Sequence, residues 1–245
     1  MENRNFQLDT EWNMLHYSPR PNGFGILIIG DERNFVTESN SYWNQNEGKK
    51  LLIDSLLNEG YTVFYSNLYG KNWGSDKACK LAKRLYEYVI RTEILNQRIH
   101  IIAEGMGALI AIKLMMEMND NIRSVVLLNP ILSLKSHLEK EKEHKFFFKK
   151  LRNEISYAFN TNQKELLDFL ESREEIHIED TNTPTKIIHI LQNGKSYFQA
   201  NELKKASITW EEKNLPIFVS YVLPEKRSAI SKQITTFFKK NEKTL

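Results

Sequence analysis

This chain of 245 residues has little of several things, and each shortage excludes a class. It holds one cysteine, Cys79, so it has no internal disulfide and no cysteine cluster for a metal. No stretch of about 18 apolar residues occurs, so a membrane-spanning helix is not expected. Residues 1–11 are polar and mixed in charge, without the basic-then-apolar layout of a secretory signal. The net charge of +3 is too small for a nucleic-acid footprint unless concentrated on one face. The densest basic stretch, Lys135 to Arg152, is diluted by Glu139, Glu141 and Glu143 and reads as a solvated helix. The six histidines show no His-x-x-x-His or His-Glu-x-x-His spacing, so no metal site is expected. No repeat or low-complexity segment appears, and no cofactor motif. Together these features predict a cytoplasmic protein with one large domain.

What is present is an alternation of strand and helix. Asn5 to Thr10 and Trp12 to Tyr17 read as an antiparallel pair at a sheet edge. Pro19, Pro21 and Asn22-Gly23 then break the chain. Phe24 to Ile29 is a continuous apolar run, the pattern of a strand buried on both faces. Leu51, Leu52, Leu56 and Leu57 recur at helical spacing, and Gly60 stops that helix. Tyr61 to Tyr65 reads as a strand. Asp76 is the expected N-cap of a helix running to about Leu95, with Leu81, Leu85, Tyr88 and Val89 on one face. Ile99 to Ala103 (strand), Ala108 to Met118 (helix) and Ser124 to Leu128 (strand) follow. From Phe24 to Pro130 the rhythm predicts a mostly parallel sheet flanked by helices. Residues 133–183 then read as charged and helical, an insert without a strand. Thr185 to Leu191 and Pro216 to Val222 are further strands, with helical sequence near Glu202 to Ala206 and from Arg227 to Lys240. The expected division is a core of residues 1–132 and 184–245 with a helical cap of residues 133–183.

The centre of the chain carries its most specific feature. Arg98 to Lys113 places an apolar strand, a tight Gly105-Met106-Gly107 turn and an apolar helix in direct succession. With the element order around it, this resembles the α/β-hydrolase fold over nearly the whole chain. In that superfamily the Gly-x-Ser-x-Gly turn presents a nucleophilic serine, with an acid and a histidine following in chain order. Here Ala103, Gly105 and Gly107 occupy the three defined positions, and the nucleophile position has no side chain. A shifted register does not restore it, because Ile102 and Met106 would then stand where small residues are needed. The expected acid loop reads Gln192-Asn193-Gly194-Lys195, with a cation where an anion belongs. An alternative acid position reads Asn129-Pro130. The last strand leads into Leu223-Pro224-Glu225, and no histidine occurs after His189. The resemblance therefore implies a degenerate member. Without serine and base, only the acceleration of an oxyanion hole, about 10³-fold, would remain. Glycine also relieves the roughly 1–3 kcal/mol of strain that the turn imposes on other residues.

What survives is backbone. The amides of Met106 and Gly107 open a helix, and a turn amide near Asp31 is expected to face them. Gly30, Asp31, Glu104, Gly105, Met106 and Gly107 are the candidate pocket, suited to holding a small carboxylate or acyl ligand without cleaving it. Otherwise the pocket is collapsed or filled by water and Glu104. Glu104 is expected to pair locally with an arginine such as Arg33. His100 and His189 sit inside apolar strands and read as buried structural residues. Cys79 falls in a first helical turn, where the dipole would lower its pKa. Phe146-Phe147-Phe148 between lysines reads as a helix packing its aromatics onto the core, or as a lid edge or docking surface. Trp43 and Trp73 line the same pocket or cover the sheet. The leading expectation is non-catalytic binding of a small acid or acyl ligand, or of a protein partner. The alternative is an active esterase-like hydrolase using Glu104, Asp31 or a histidine of the insert.

Overall fold

A computed structural model describes residues 2–192 and 194–242, with the backbone alone at 194, 195 and 198. The chain opens with β1 (Asn3–Leu8) and β2 (Glu11–His16), an antiparallel hairpin with Leu8 opposite Glu11. β3 (Gly25–Ile29) follows, then the short α1 (Tyr42–Gln45), α2 (Glu47–Asn58) and β4 (Thr62–Ser66). The central run is α3 (Asp76–Thr92), β5 (Ile99–Glu104), α4 (Gly107–Glu117) and β6 (Ile122–Leu128). Three helices come next: α5 (Leu134–Glu141), α6 (Lys145–Phe159) and α7 (Leu166–Ser172). β7 (Thr185–Ile190), α8 (Gly194–Glu212), β8 (Ile217–Val222) and α9 (Ala229–Lys240) complete the described elements.

The eight strands form one sheet in the order β1-β2-β4-β3-β5-β6-β7-β8. β2 runs antiparallel to β4, and from β4 to β8 every neighbouring pair is parallel. Side chains alternate between the two faces of a strand, and the core divides accordingly. Leu27, Ile29, Ile101, Ala103, Val125 and Leu127 meet α3, α4 and Trp210 of α8 on one face. Ile26, Ile28, Ile102, Val126 and Ile188 meet α2 and α9 on the other. Burial on both faces explains why β3 and β6 read as unbroken apolar runs.

The expected mostly parallel sheet with flanking helices is what the structure shows. Local details differ. The N-cap of α3 is Ser75, not Asp76. The Asp76 carboxylate points away from the helix start to meet Lys113 and Arg173. α3 ends at Thr92, and α8 is far longer than the few residues read as helical. Phe148 packs on the apolar cluster of α5–α7 as expected, while Phe146 and Phe147 stand 77% and 59% exposed. Among the described residues no helix is long and apolar enough to cross a membrane.

Candidate functional site

The turn after β5 is built from absent side chains. Gly105 adopts a left-handed conformation with φ of 52°, where a β-carbon is strained. Its N–H donates to the Leu128 carbonyl (3.1 Å) and its own carbonyl accepts from the Ile131 N–H (2.9 Å), which ties the turn to the end of β6. A β-carbon at Gly107 would stand 2.5 Å from the Ile29 carbonyl oxygen, so the start of α4 can press on β3 only as glycine.

Asp31, which follows β3, closes the space above this turn. Its Oδ1 accepts the Met106 N–H at 3.0 Å. A β-carbon on Gly105 would lie 2.2 Å from the Asp31 carboxyl carbon. The Met106 amide is thus met by a carboxylate of the chain itself. It satisfies an otherwise open donor at a helix N-terminus, where negative charge is favoured. Gly30 has no room for a side chain either, because Asn34 occupies it. The Met106 side chain is fully buried in an apolar cluster with Trp73, Leu109, Leu134, Leu138 and Ile155, which joins the turn to α5 and α6.

Glu104 does not reach Arg33. It pairs with Lys49 of α2 (2.6 Å), whose ammonium also lies 4.9 Å from the centre of the Trp43 ring. Sequence spacing held no signal for Lys49, which arrives from a helix 55 residues earlier. Trp43 is buried and donates to Asn34 Oδ1 (3.1 Å). Asp31, Met106, Gly107 and Gly30 thus meet around Gly105, while the Glu104 side chain is held by α2.

Two cavities lie nearby. One, of about 250 Å³, is lined by Pro130, Ser133, Ser136, His137, His189 and Glu202 among others. The other, of about 230 Å³, lies between α4 and α5–α7 and is lined by Trp73, Leu109, Lys113, Phe159 and Arg173. Neither is lined by Gly30, Asp31, Glu104, Gly105, Met106 or Gly107. His189 is buried and bonded to the Ser196 carbonyl (2.7 Å), yet it stands at the fifth of six positions in β7 and so reaches the cavity mouth. Asn193 and the Lys195 side chain, read as the altered acid loop, lie outside the described residues.

A serine, a histidine and a carboxylate do line up, at the opposite end of the sheet. Ser124 Oγ is 2.8 Å from His100 Nδ1, and His100 Nε2 is 3.3 Å from Glu242 Oε1. Tyr61 donates to the same carboxylate oxygen (2.5 Å). His100 lies about 16 Å along β5 from Gly105, at 3.3 Å per residue. Ser124 and His100 are fully buried, and the His100 ring stacks on Phe238. Burial lowers the His100 pKa, so the ring is neutral and packs as a core group. Among the described residues no cluster of three or more His, Cys, Asp or Glu could hold a metal.

No protein-family model and no curated protein matches the sequence. Solved structures do. Est1E from Butyrivibrio proteoclasticus superposes with a TM-score of 0.64 at 11% identity, covering 98% of each chain. FphF, a fluorophosphonate-binding serine hydrolase of Staphylococcus aureus, gives 0.62 at 13% identity, over 96% of this chain and 97% of its own. The Pyrococcus furiosus esterase Pf2001 gives 0.60 at 15%, over 98% and 91%. The chain has the α/β-hydrolase fold. The α/β-hydrolase fold accounts for the antiparallel leading hairpin and for the turn at the carboxyl end of the central β5. Identities this low establish shared architecture and nothing of activity.

Proposed function

We propose that this α/β-hydrolase-fold chain is non-catalytic and works by binding another protein, with its elbow sealed from within. One observation carries the reading: the Asp31 carboxylate sits against Gly105 and accepts the Met106 N–H, in the space a nucleophile would need. Gly30, Asp31, Glu104, Gly105, Met106 and Gly107 then form a lock that holds β3, β5 and α4 together. Residues 133–183 act as a fixed cap, because Met106 is packed into their apolar cluster. A small acid or acyl ligand at the elbow would first have to displace Asp31, so binding through the outer surface is the better-supported mode.

The test is a fluorophosphonate probe together with turnover of short p-nitrophenyl esters. The purified chain should remain unlabelled and hydrolyse the esters no faster than buffer. Acetate and butyrate should leave its melting temperature unchanged. Gly105→Ser should stay inactive, because its β-carbon would collide with the Asp31 carboxyl group and His189 is bonded to the Ser196 carbonyl. Labelling, or turnover lost in Asp31→Ala, would replace this reading with a hydrolase using a non-standard residue set. Stabilisation by acetate would restore the small-ligand reading.

A further inference from the structure

Among the described residues β8 ends the sheet, with β7 as its one neighbour. An edge strand presents alternate unpaired N–H and C=O groups, and proteins usually blunt such edges with charge, proline or a bulge. Ile217 to Val222 reads Ile-Phe-Val-Ser-Tyr-Val and carries no charge or proline. Phe218 is 50% exposed and Tyr221 40%. The two side chains leave opposite faces. Phe218 turns to α9, stacking edge-on with Phe237, and Tyr221 turns to α8, where its hydroxyl donates to the Ala200 carbonyl (3.1 Å).

Beside this edge, between β7–β8 and α9, runs a groove of about 480 Å³. Its charged lining is entirely cationic: Lys186 from β7, Lys232 and Lys240 from α9. Lys240 lies over the Phe218 ring at 5.7 Å. Among the described residues the Lys186 and Lys232 ammonium groups have no hydrogen bond or ion pair. Burial lowers the Lys186 pKa, as expected for a cation whose counter-charge is missing.

We propose that the β8 edge is a docking site for an extended acidic segment of a partner protein, added to the sheet as a ninth strand. Successive side chains of an added strand point to opposite faces. Carboxylates at alternate positions would meet Lys186, Lys232 and Lys240 on the α9 face, and apolar residues between them would meet Tyr221 on the α8 face. A second copy fits poorly. Antiparallel pairing of two β8 edges about a two-fold axis normal to the sheet would leave both α9 helices on one face. Six lysines would then crowd one seam with no acid lining either groove. The inference does not depend on the inert elbow, and its test reads a different surface.

The test is an amide chemical-shift titration of the full chain with an acetylated, amidated octapeptide of alternating Glu and Val. A Lys–Val octapeptide is the control. Saturable shifts should concentrate on Ile217 to Val222 and on Lys232 to Lys240. Affinity should fall about tenfold or more in the Lys232→Glu/Lys240→Glu variant and on raising salt to about 0.5 M. Both positions are exposed, so the variant's spectrum elsewhere should match wild type. The proposal is overturned if the Glu–Val peptide causes no shifts, if the Lys–Val peptide binds equally, or if the double variant binds as tightly. A dimer in sedimentation with β8 amides protected in the seam would also overturn it.

Discussion

Replacing Asp31 by alanine tests directly what closes the turn. The Asp31 carboxylate makes one charge-assisted hydrogen bond, to the N–H of the fully buried Met106. Removing it orphans a buried donor, at a cost of about 1–3 kcal/mol. It also removes a negative charge from the start of α4, about 0.3–1 kcal/mol. Asp31 itself is only half-buried, so water can enter and recover part of this. The expected net loss is about 2 kcal/mol, or a fall in melting temperature of about 4–8 °C for a chain of this size. Asp31→Asn keeps an acceptor at the same place and should lose only about 0.5 kcal/mol, the charge contribution alone. Acetate should stabilise Asp31→Ala and leave wild type unmoved, because only the variant has an open amide. Chemical denaturation and thermal scans with and without acetate read all three. An Asp31→Ala protein as stable as wild type would refute the idea that this carboxylate locks the turn.

Acidification should weaken the fold through two buried histidines. Burial lowers His16 from 6.5 to about 4, and its Nε2 lies 2.9 Å from the Tyr65 hydroxyl. A folded pKa below the unfolded one means full stability above pH 6.5, with loss as pH falls from 6.5 toward 4. For His16 alone that loss reaches about 3 kcal/mol. His100 is shifted in the same direction, so denaturation midpoints should fall over this window, and His16→Gln should fall less steeply. Cys79 is buried and its pKa is raised to about 11 by desolvation, so the native thiol should resist Ellman's reagent and react fully in denaturant. Trp73→Ala should cost about 3–5 kcal/mol. It should also bring protease cleavage within residues 133–183, because Trp73 is part of the cluster that anchors those helices.

The architecture was legible because its signals are local. Continuous apolar runs marked β3 and β6, and a glycine pair marked the turn after β5. Helical sequence between successive apolar runs marked the central strands as parallel, while their order in the sheet is seen only in the structure. The site was less legible. That Gly105 lacks a side chain is plain in the sequence, but the identity of what fills the vacancy is not. Asp31 directly follows β3, as the sequence requires, yet the direction of its side chain depends on a loop whose backbone no periodicity encodes. The same holds for the Lys49 partner of Glu104 and for Asp76, which bonds Lys113 and Arg173 instead of capping α3. The dipole argument for Cys79 failed because desolvation outweighs a helix terminus when the thiol is buried. Helix α8 was under-read because its sequence lacks a clear apolar stripe.

The carboxylate on the Met106 amide also sets a concentration scale. It is a competitor joined to its own receptor by a short length of chain, so its effective concentration there is at least of millimolar order and higher for a rigid loop. Any free acid reaching the same amide would have to outcompete a neighbour that never diffuses away. On the proposed reading, free acids well below that concentration would be outmatched by the tether.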